Sequence, residues 1–208
     1  FGGALKNLGM GCASVGGKLF LHSGNPPFIY VKNCTGCNLC VINCAHDAVH
    51  LNEERKAHID IEKCTGCGQC VAVCQFDAAR VQWSSEGDIL SKKIAEYSYA
   101  VLKDKPALHI NFILDVSPDC DCWGHNAMPI IADIGILAST DPVALDKACA
   151  DMVIDAPAAW HLQEKEKGND FRGADKFRMA HGNTDWNAAL THGEKIKLGS
   201  LSYKLIRI

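Results

Sequence analysis

Cys34-Thr35-Gly36-Cys37-Asn38-Leu39-Cys40-Val41-Ile42-Asn43-Cys44 is followed thirty residues later by Cys64-Thr65-Gly66-Cys67-Gly68-Gln69-Cys70-Val71-Ala72-Val73-Cys74. Both runs have the spacing C-x2-C-x2-C-x3-C. Three thiolates at successive three-residue intervals can wrap a short loop around one iron–sulfur cubane and give three of its irons a ligand each. The fourth iron then needs a sulfur from farther along the chain. The two runs therefore read as ligands for two [4Fe-4S] clusters. Structural zinc competes, but zinc ribbons usually separate two Cys pairs by a longer loop, and an unbroken run of three is atypical. Disulfides fit less well, because C-x2-C bridges are strained and so dense a pattern suits a reducing compartment such as the cytoplasm.

The repeat extends past the ligands. Val41 matches Val71 and Asp47-Ala48 matches Asp77-Ala78, so a thirty-residue unit has been duplicated. Gly36 and Gly66 fall between ligands, where the backbone must turn closely and positive φ is expected. Strand-like stretches precede the runs (Phe28 to Val31, Ala57 to Ile61) and follow them (Val49 to Leu51, Arg80 to Trp83). They predict a pseudo-twofold pair of small hairpins with a cluster at each end. Asp47 and Asp77 read as cap or turn residues rather than as groups that tune a cluster. The segment 28–83 resembles the bacterial-type two-cluster ferredoxins, with a βαβ-βαβ order. That resemblance implies crossed ligation, with Cys34, Cys37, Cys40 and Cys74 on one cluster and Cys64, Cys67, Cys70 and Cys44 on the other. Ala45 and Gln75 stand where those ferredoxins usually carry Pro, which leaves a backbone N–H free for a sulfur and puts any carried-over potential in doubt.

At 208 residues the chain is long enough for a second core, with about 125 residues after Trp83. A net charge of −3 from 21 basic and 24 acidic side chains argues against a polyanionic partner, nucleic acid included. The longest apolar run, Ile130 to Ala138, is interrupted by Asp133 and Gly135 and falls short of the ~18 to 20 residues that span a bilayer. A soluble chain is expected, and Phe1-Gly-Gly-Ala-Leu lacks the features of a signal peptide.

Downstream, Asp88 to Lys103 places Ile89, Ile94, Tyr97 and Val101 on one face of a helix. Ala107 to Val116 and Pro129 to Gly135 read as buried strands. Thr140-Asp141-Pro142 supplies an N-cap and first turn for a helix over Val143 to Ile154. The stretch from Ala156 to Gly182 reads as surface helices and loops, Asn187 to Lys197 as a helix, and Leu201 to Ile208 as a final strand. Strand followed by helix, repeated, predicts an α/β domain (α+β being the alternative) with a mostly parallel sheet. That domain would occupy 1–27 and 84–208, as part of a larger one, and carry the ferredoxin-like insert at 28–83.

Three stretches carry a wider resemblance: Gly2-Gly3-Ala4-Leu5-Lys6 through Cys12, Ile110-Asn111-Phe112 through Cys120-Asp121-Cys122, and Asp133 through Asp146. Over essentially its whole length the chain is similar to the 4Fe-4S proteins catalogued as domain of unknown function 362. Members usually carry a further α/β half before the Gly-Gly-Ala-Leu-Lys motif, so the resemblance implies that this chain is a carboxy-terminal portion.

Four cysteines remain. Cys120 and Cys122, one residue apart, would point to the same side of an extended loop and with Cys12 make three ligands of a third metal site, with His22 or His125 as the fourth. A disulfide from Cys12 to one of that pair is another reading, and a small apolar residue in a Gly-rich turn is the bland one for Cys12. Cys149 reads as a core residue. Asp133, Asp141 and Asp146 surround a strand end and helix start of the kind that binds ligands, but capping by Asp141 and solvation of Asp146 explain two of them without a ligand. No nucleotide motif and no catalytic constellation is legible. The expected function is one-electron transfer through the two clusters to a redox partner protein or to an internal redox site. The alternative is an oxidoreductase whose α/β domain holds a substrate or third-metal site fed by the clusters.

Overall fold

The computed structural model describes residues 2–22, 26–81, 87–120, 124, 127–165 and 168–208, and contacts divide the chain into two units, Phe1–Gly11 with Ser91–Ile208, and Cys12–Leu90. In the first of these, α1 (Ala4–Lys6) passes directly into a π-helical turn at Asn7–Gly11.

The cysteine-bearing unit contains α2 (Val15–His22), β1 (Phe28–Ile29), α3 (Leu39–Ile42), β2 (Val49–Leu51), β3 (Ala57–Ile59), α4 (Gln69–Ala72) and β4 (Ala79–Arg80). β2 and β3 form an antiparallel hairpin with Val49 opposite Ile59. β1 pairs antiparallel with β4, Phe28 opposite Arg80, so the first strand of one repeat meets the last strand of the other. The duplication is visible in the backbone. Gly36 and Gly66 have φ of 72° and 74°, Asn38 and Gly68 have 69° and 72°, and Asp47 and Asp77 have 49° and 51°. The left-handed residue at 38 and 68 turns the chain out of the ligand loop into the single helical turn of α3 or α4. Asn and Asp tolerate that region better than other side chains, which accounts for their presence at 38, 47 and 77. Asp47 and Asp77 are thus turn residues, as their sequence context suggests.

The unit also takes in residues 12–27, which the sequence reading assigns to the other domain. The reason is close packing of α2 on the second ligand loop. A Cβ on Gly16 would lie 3.0 Å from the Cys67 carbonyl, and one on Gly68 would lie 2.9 Å from the Leu19 Cβ. Trp83 lies outside the described residues, so the far end of the expected fourth strand is not placed.

The larger unit holds α5 (Gly87–Leu102) from Ser91 onward, followed by β5 (His109–Ile113), β6 (Gly135–Ser139), α6 (Pro142–Asp155), α7 (Trp160–Lys165), α8 (Lys176–Ala180) and α9 (Asn187–Lys195). α5 buries Ile94, Ala95 and Ser98; Ile94 belongs to the predicted face, while Ile89, Tyr97 and Val101 are only half-buried. The expected parallel sheet is corrected: β5 and β6 are antiparallel, with His109 opposite Ser139 and Ile113 opposite Gly135, and each of the three described sheets is an antiparallel pair. A parallel pair needs a helical crossover, and among the described residues between β5 and β6 there is none. The architecture is mixed helix and small antiparallel sheet. The second strand also starts later than predicted, because Ile130 and Ile131 enter the core instead, Ile131 making only an isolated bridge to Ala158. Leu201 to Ile208 pairs with no strand and is largely exposed.

α6 covers the inner face of β5–β6, burying Val143, Leu145, Ala148, Cys149 and Val153 among others. Asp141 caps it as predicted, its Oδ1 accepting from Val143 N and Ala144 N at 2.9 Å each, while Oδ2 accepts from Ser200 N at 2.8 Å. The chain passes so close that a Cβ on Gly199 would collide with this carboxylate. The core gathers Ala4, Ile113, Ile130, Ile131, Leu145, Cys149 and Val153.

Candidate functional site

Each repeat begins with a ligand loop held by a left-handed glycine and ends in a turn that presents amides to the last cysteine. Ala48 N donates to Cys44 Sγ at 3.3 Å, and thirty residues later Ala78 N donates to Cys74 Sγ at 3.3 Å, with Ala79 N adding a second bond at 3.4 Å. Gly66 N donates to Cys64 Sγ at 3.4 Å, and Ala57 N to Cys34 Sγ at 3.3 Å. Amide N–H groups aimed at sulfur favour thiolate.

The cysteines line two hollows. One has Cys34, Cys37, Cys40 and Cys74 on its wall together with Ile29, Leu51, Phe76 and three alanines. The other has Cys44, Cys64, Cys67 and Cys70 with Pro27, His46, Val49 and Gln69. In each, three cysteines of one run meet the last cysteine of the other. α3 and α4, which carry Cys40 and Cys70 at equivalent positions, pack on each other.

The thiols differ in how readily they ionise. Burial pushes Cys70 up to about 12, and the charges of Cys64, Cys40 and Cys67 add to it. Burial also raises Cys40, with smaller contributions from Cys34, Cys37 and Cys74 against an opposing backbone hydrogen bond. For Cys74 burial acts upward too, but the amides of Ala79, Phe76 and Ala78 together outweigh it and leave this thiol below its ordinary value. Four thiolates around one hollow repel each other, and a cation among them would offset that repulsion, so the donor set fits a metal group. Among the described residues, no three His, Cys, Asp or Glu side chains converge closely enough for a single ion.

Cys12 is exposed and belongs to the cysteine-bearing unit; Cys120 is exposed and belongs to the larger one. Cys122 and His125 lie outside the described residues, and His22 ends α2. Cys149 is a core residue, as expected; burial pushes its thiol up to about 11 against a hydrogen bond from Asn111. Asp133 accepts from Asp115 N at 2.8 Å.

Asp146 is a correction. It is not solvated but fully buried, its Oδ1 accepting from Ala4 N at 2.7 Å and Asn111 Nδ2 at 2.7 Å, and its Oδ2 from Leu5 N at 2.9 Å. Burial raises its pKa, and these three donors oppose the rise. Gly3 must be glycine here, since a Cβ would sit 2.5 Å from Asp146 Oδ1. The Gly-Gly-Ala-Leu motif, Asn111 and Asp146 are remote in sequence yet form one polar node. Only the spacing of small residues before Ala4 hinted at so close an approach. Sequence reasoning also missed Lys176, whose buried ammonium donates to the carbonyls of Ile154 and Phe171 at 2.8 and 2.9 Å.

No helix among the described residues is long and apolar enough to cross a membrane. No curated protein and no solved structure matches the chain. The family model described as domain of unknown function (DUF362) matches residues 1–151, which contain both cysteine runs and all three partners of the Asp146 node, and the chain belongs to that family.

Proposed function

We propose that this chain is an iron–sulfur protein that moves single electrons through two [4Fe-4S] clusters in a ferredoxin-like insert. Cys34, Cys37, Cys40 and Cys74 would hold one cluster, and Cys64, Cys67, Cys70 and Cys44 the other. The observation that carries this reading is the composition of the two hollows: each is walled by three cysteines of one run and the fourth of the other, with amides directed at sulfur. The antiparallel pairing of strands from opposite repeats supports the likeness to a two-cluster ferredoxin. Bound clusters supply one-electron reduction and reoxidation without breaking a bond. The chain's own part is to orient the thiolates, exclude water with Ile29, Leu51, Phe76 and Val49, and set the local charge. The electron passes to a redox partner protein or to an internal redox site, in a reducing compartment such as the cytoplasm.

Anaerobic purification followed by iron and sulfide analysis and EPR after dithionite tests the reading. About eight iron and eight sulfide per chain are expected, with two spin-coupled S = 1/2 signals. Zinc without labile sulfide, or clusters that dithionite and stronger reductants leave unreduced, overturns it.

A further inference from the structure

The two hollows are related by the thirty-residue repeat, yet they are not lined alike. Arg55-Lys56-Ala57 reaches the first one. Arg55 Nη2 donates to the Gly36 carbonyl at 3.3 Å, Lys56 Nζ donates to the Cys34 carbonyl, and Ala57 N donates to Cys34 Sγ. Thirty residues earlier the sequence reads Asn25-Pro26-Pro27. Pro27 lines the second hollow where Ala57 lines the first, and proline has no N–H to offer Cys64. No cationic side chain stands at 25 or 26.

Other groups modulate this difference without reversing it. Ala78 and Ala79 both donate to Cys74 in the first set, whereas the second set receives Ala48 N at Cys44 and Gly66 N at Cys64. Glu53 and Glu54 are exposed in the turn that precedes Arg55. Lys63, next to Cys64, is paired with Asp60 at 3.7 Å. His46 lines the second hollow at the position where Phe76 lines the first. An added electron makes a site more negative, and nearby cations and N–H dipoles directed at its sulfurs stabilise that state.

We propose that Arg55, Lys56 and the Ala57 amide make the Cys34/Cys37/Cys40/Cys74 site the one that retains an added electron, and that Pro27 keeps the Cys44/Cys64/Cys67/Cys70 site the weaker holder and so the donor of the pair. This rests on the cluster reading above. One electron enters from a one-electron donor, the charge of the receiving site falls by one, and no bond is made or broken.

The test is an EPR-monitored redox titration of the anaerobic holoprotein. The electron is expected to favour one site at least about tenfold, a gap of about 59 mV between midpoints for a one-electron couple. The double variant Arg55→Gln/Lys56→Gln should lower the higher midpoint and leave the lower one in place. Pro27→Ala should raise the lower midpoint alone. Midpoints that coincide in the unmodified protein, a double variant that moves the lower midpoint, or a Pro27→Ala variant that moves neither, overturns the inference while leaving two reducible clusters and the functional reading intact. A preparation without clusters overturns the functional reading itself. Should the double variant take up no iron, the Pro27→Ala midpoint decides alone.

Discussion

The larger unit and the cysteine-bearing unit bury different chemistry. Leu5, Ile131, Val143 and Leu190 are almost completely enclosed in the larger unit, along with the hydrogen-bonded Asp146 and Ser98, whereas Leu21 is the one large side chain of that degree of burial among the described residues of 12–90. The core cluster of the cysteine-bearing unit consists of Cys34, Cys70, Val49, Ile59 and the three alanines Ala57, Ala78 and Ala79, with eight partly buried cysteines and aliphatic side chains packed against it. An interior of small side chains and thiols supplies little apolar burial, so clusters held as proposed would contribute much of its order. The larger unit has apolar area and a satisfied polar node of its own. On the proposed cluster reading, metal-coupled folding of one unit would accompany self-supporting folding of the other.

The largest effect expected from this contrast follows iron removal. Anaerobic chelation should abolish hydrogen-exchange protection in β2, β3 and α4 while α6 and β5 retain theirs. Equal loss in both units would break the comparison. Next comes Asp146→Ala, which strips an acceptor from Ala4 N, Leu5 N and Asn111 Nδ2 inside the core. A destabilisation of about 3 to 5 kcal/mol in denaturant titrations is expected, with cluster absorbance unchanged before the transition. Gly68→Ala reverses the target. At φ 72°, with its Cβ 2.9 Å from that of Leu19, it should cost the cysteine-bearing unit about 1 to 3 kcal/mol and leave α6 exchange as before.

The smallest effect concerns Cys149. Its thiol lies at about 11 in the folded chain against an ordinary 9.0, so the folded state holds this proton more tightly. The resulting stabilisation is complete below pH 9.0 and is lost as the pH rises through about 11. Alkylation mapped by peptide mass should find Cys149 at least about a hundredfold slower than exposed Cys12 near neutral pH. Comparable rates would show that the larger unit does not shield its interior.

Local signals were legible where the chain's own neighbours decide the conformation. The repeated Cys-Thr-Gly-Cys loops, the Asp141-Pro142 helix start and the periodicity of α5 all rest on φ preferences, capping and spacing within a few residues. Strand direction was not legible, because Ala107 to Val116 and Pro129 to Gly135 are apolar runs that suit a parallel or an antiparallel neighbour equally. Asp146 misled for a related reason. On a helix, an aspartate four residues after a proline looks solvated until Gly3 and Asn111 arrive from distant parts of the chain to enclose it.

By itself, the sequence determined the two cysteine runs, their thirty-residue register and hence the substitution of Pro27 for Ala57, since covalent spacing and the missing proline N–H need no fold to be read. Only the tertiary structure decided that Arg55 and Lys56 lean on the first loop and that Asp146 ties three remote segments together. Each of these depends on long-range approach of the backbone, which no window of sequence contains.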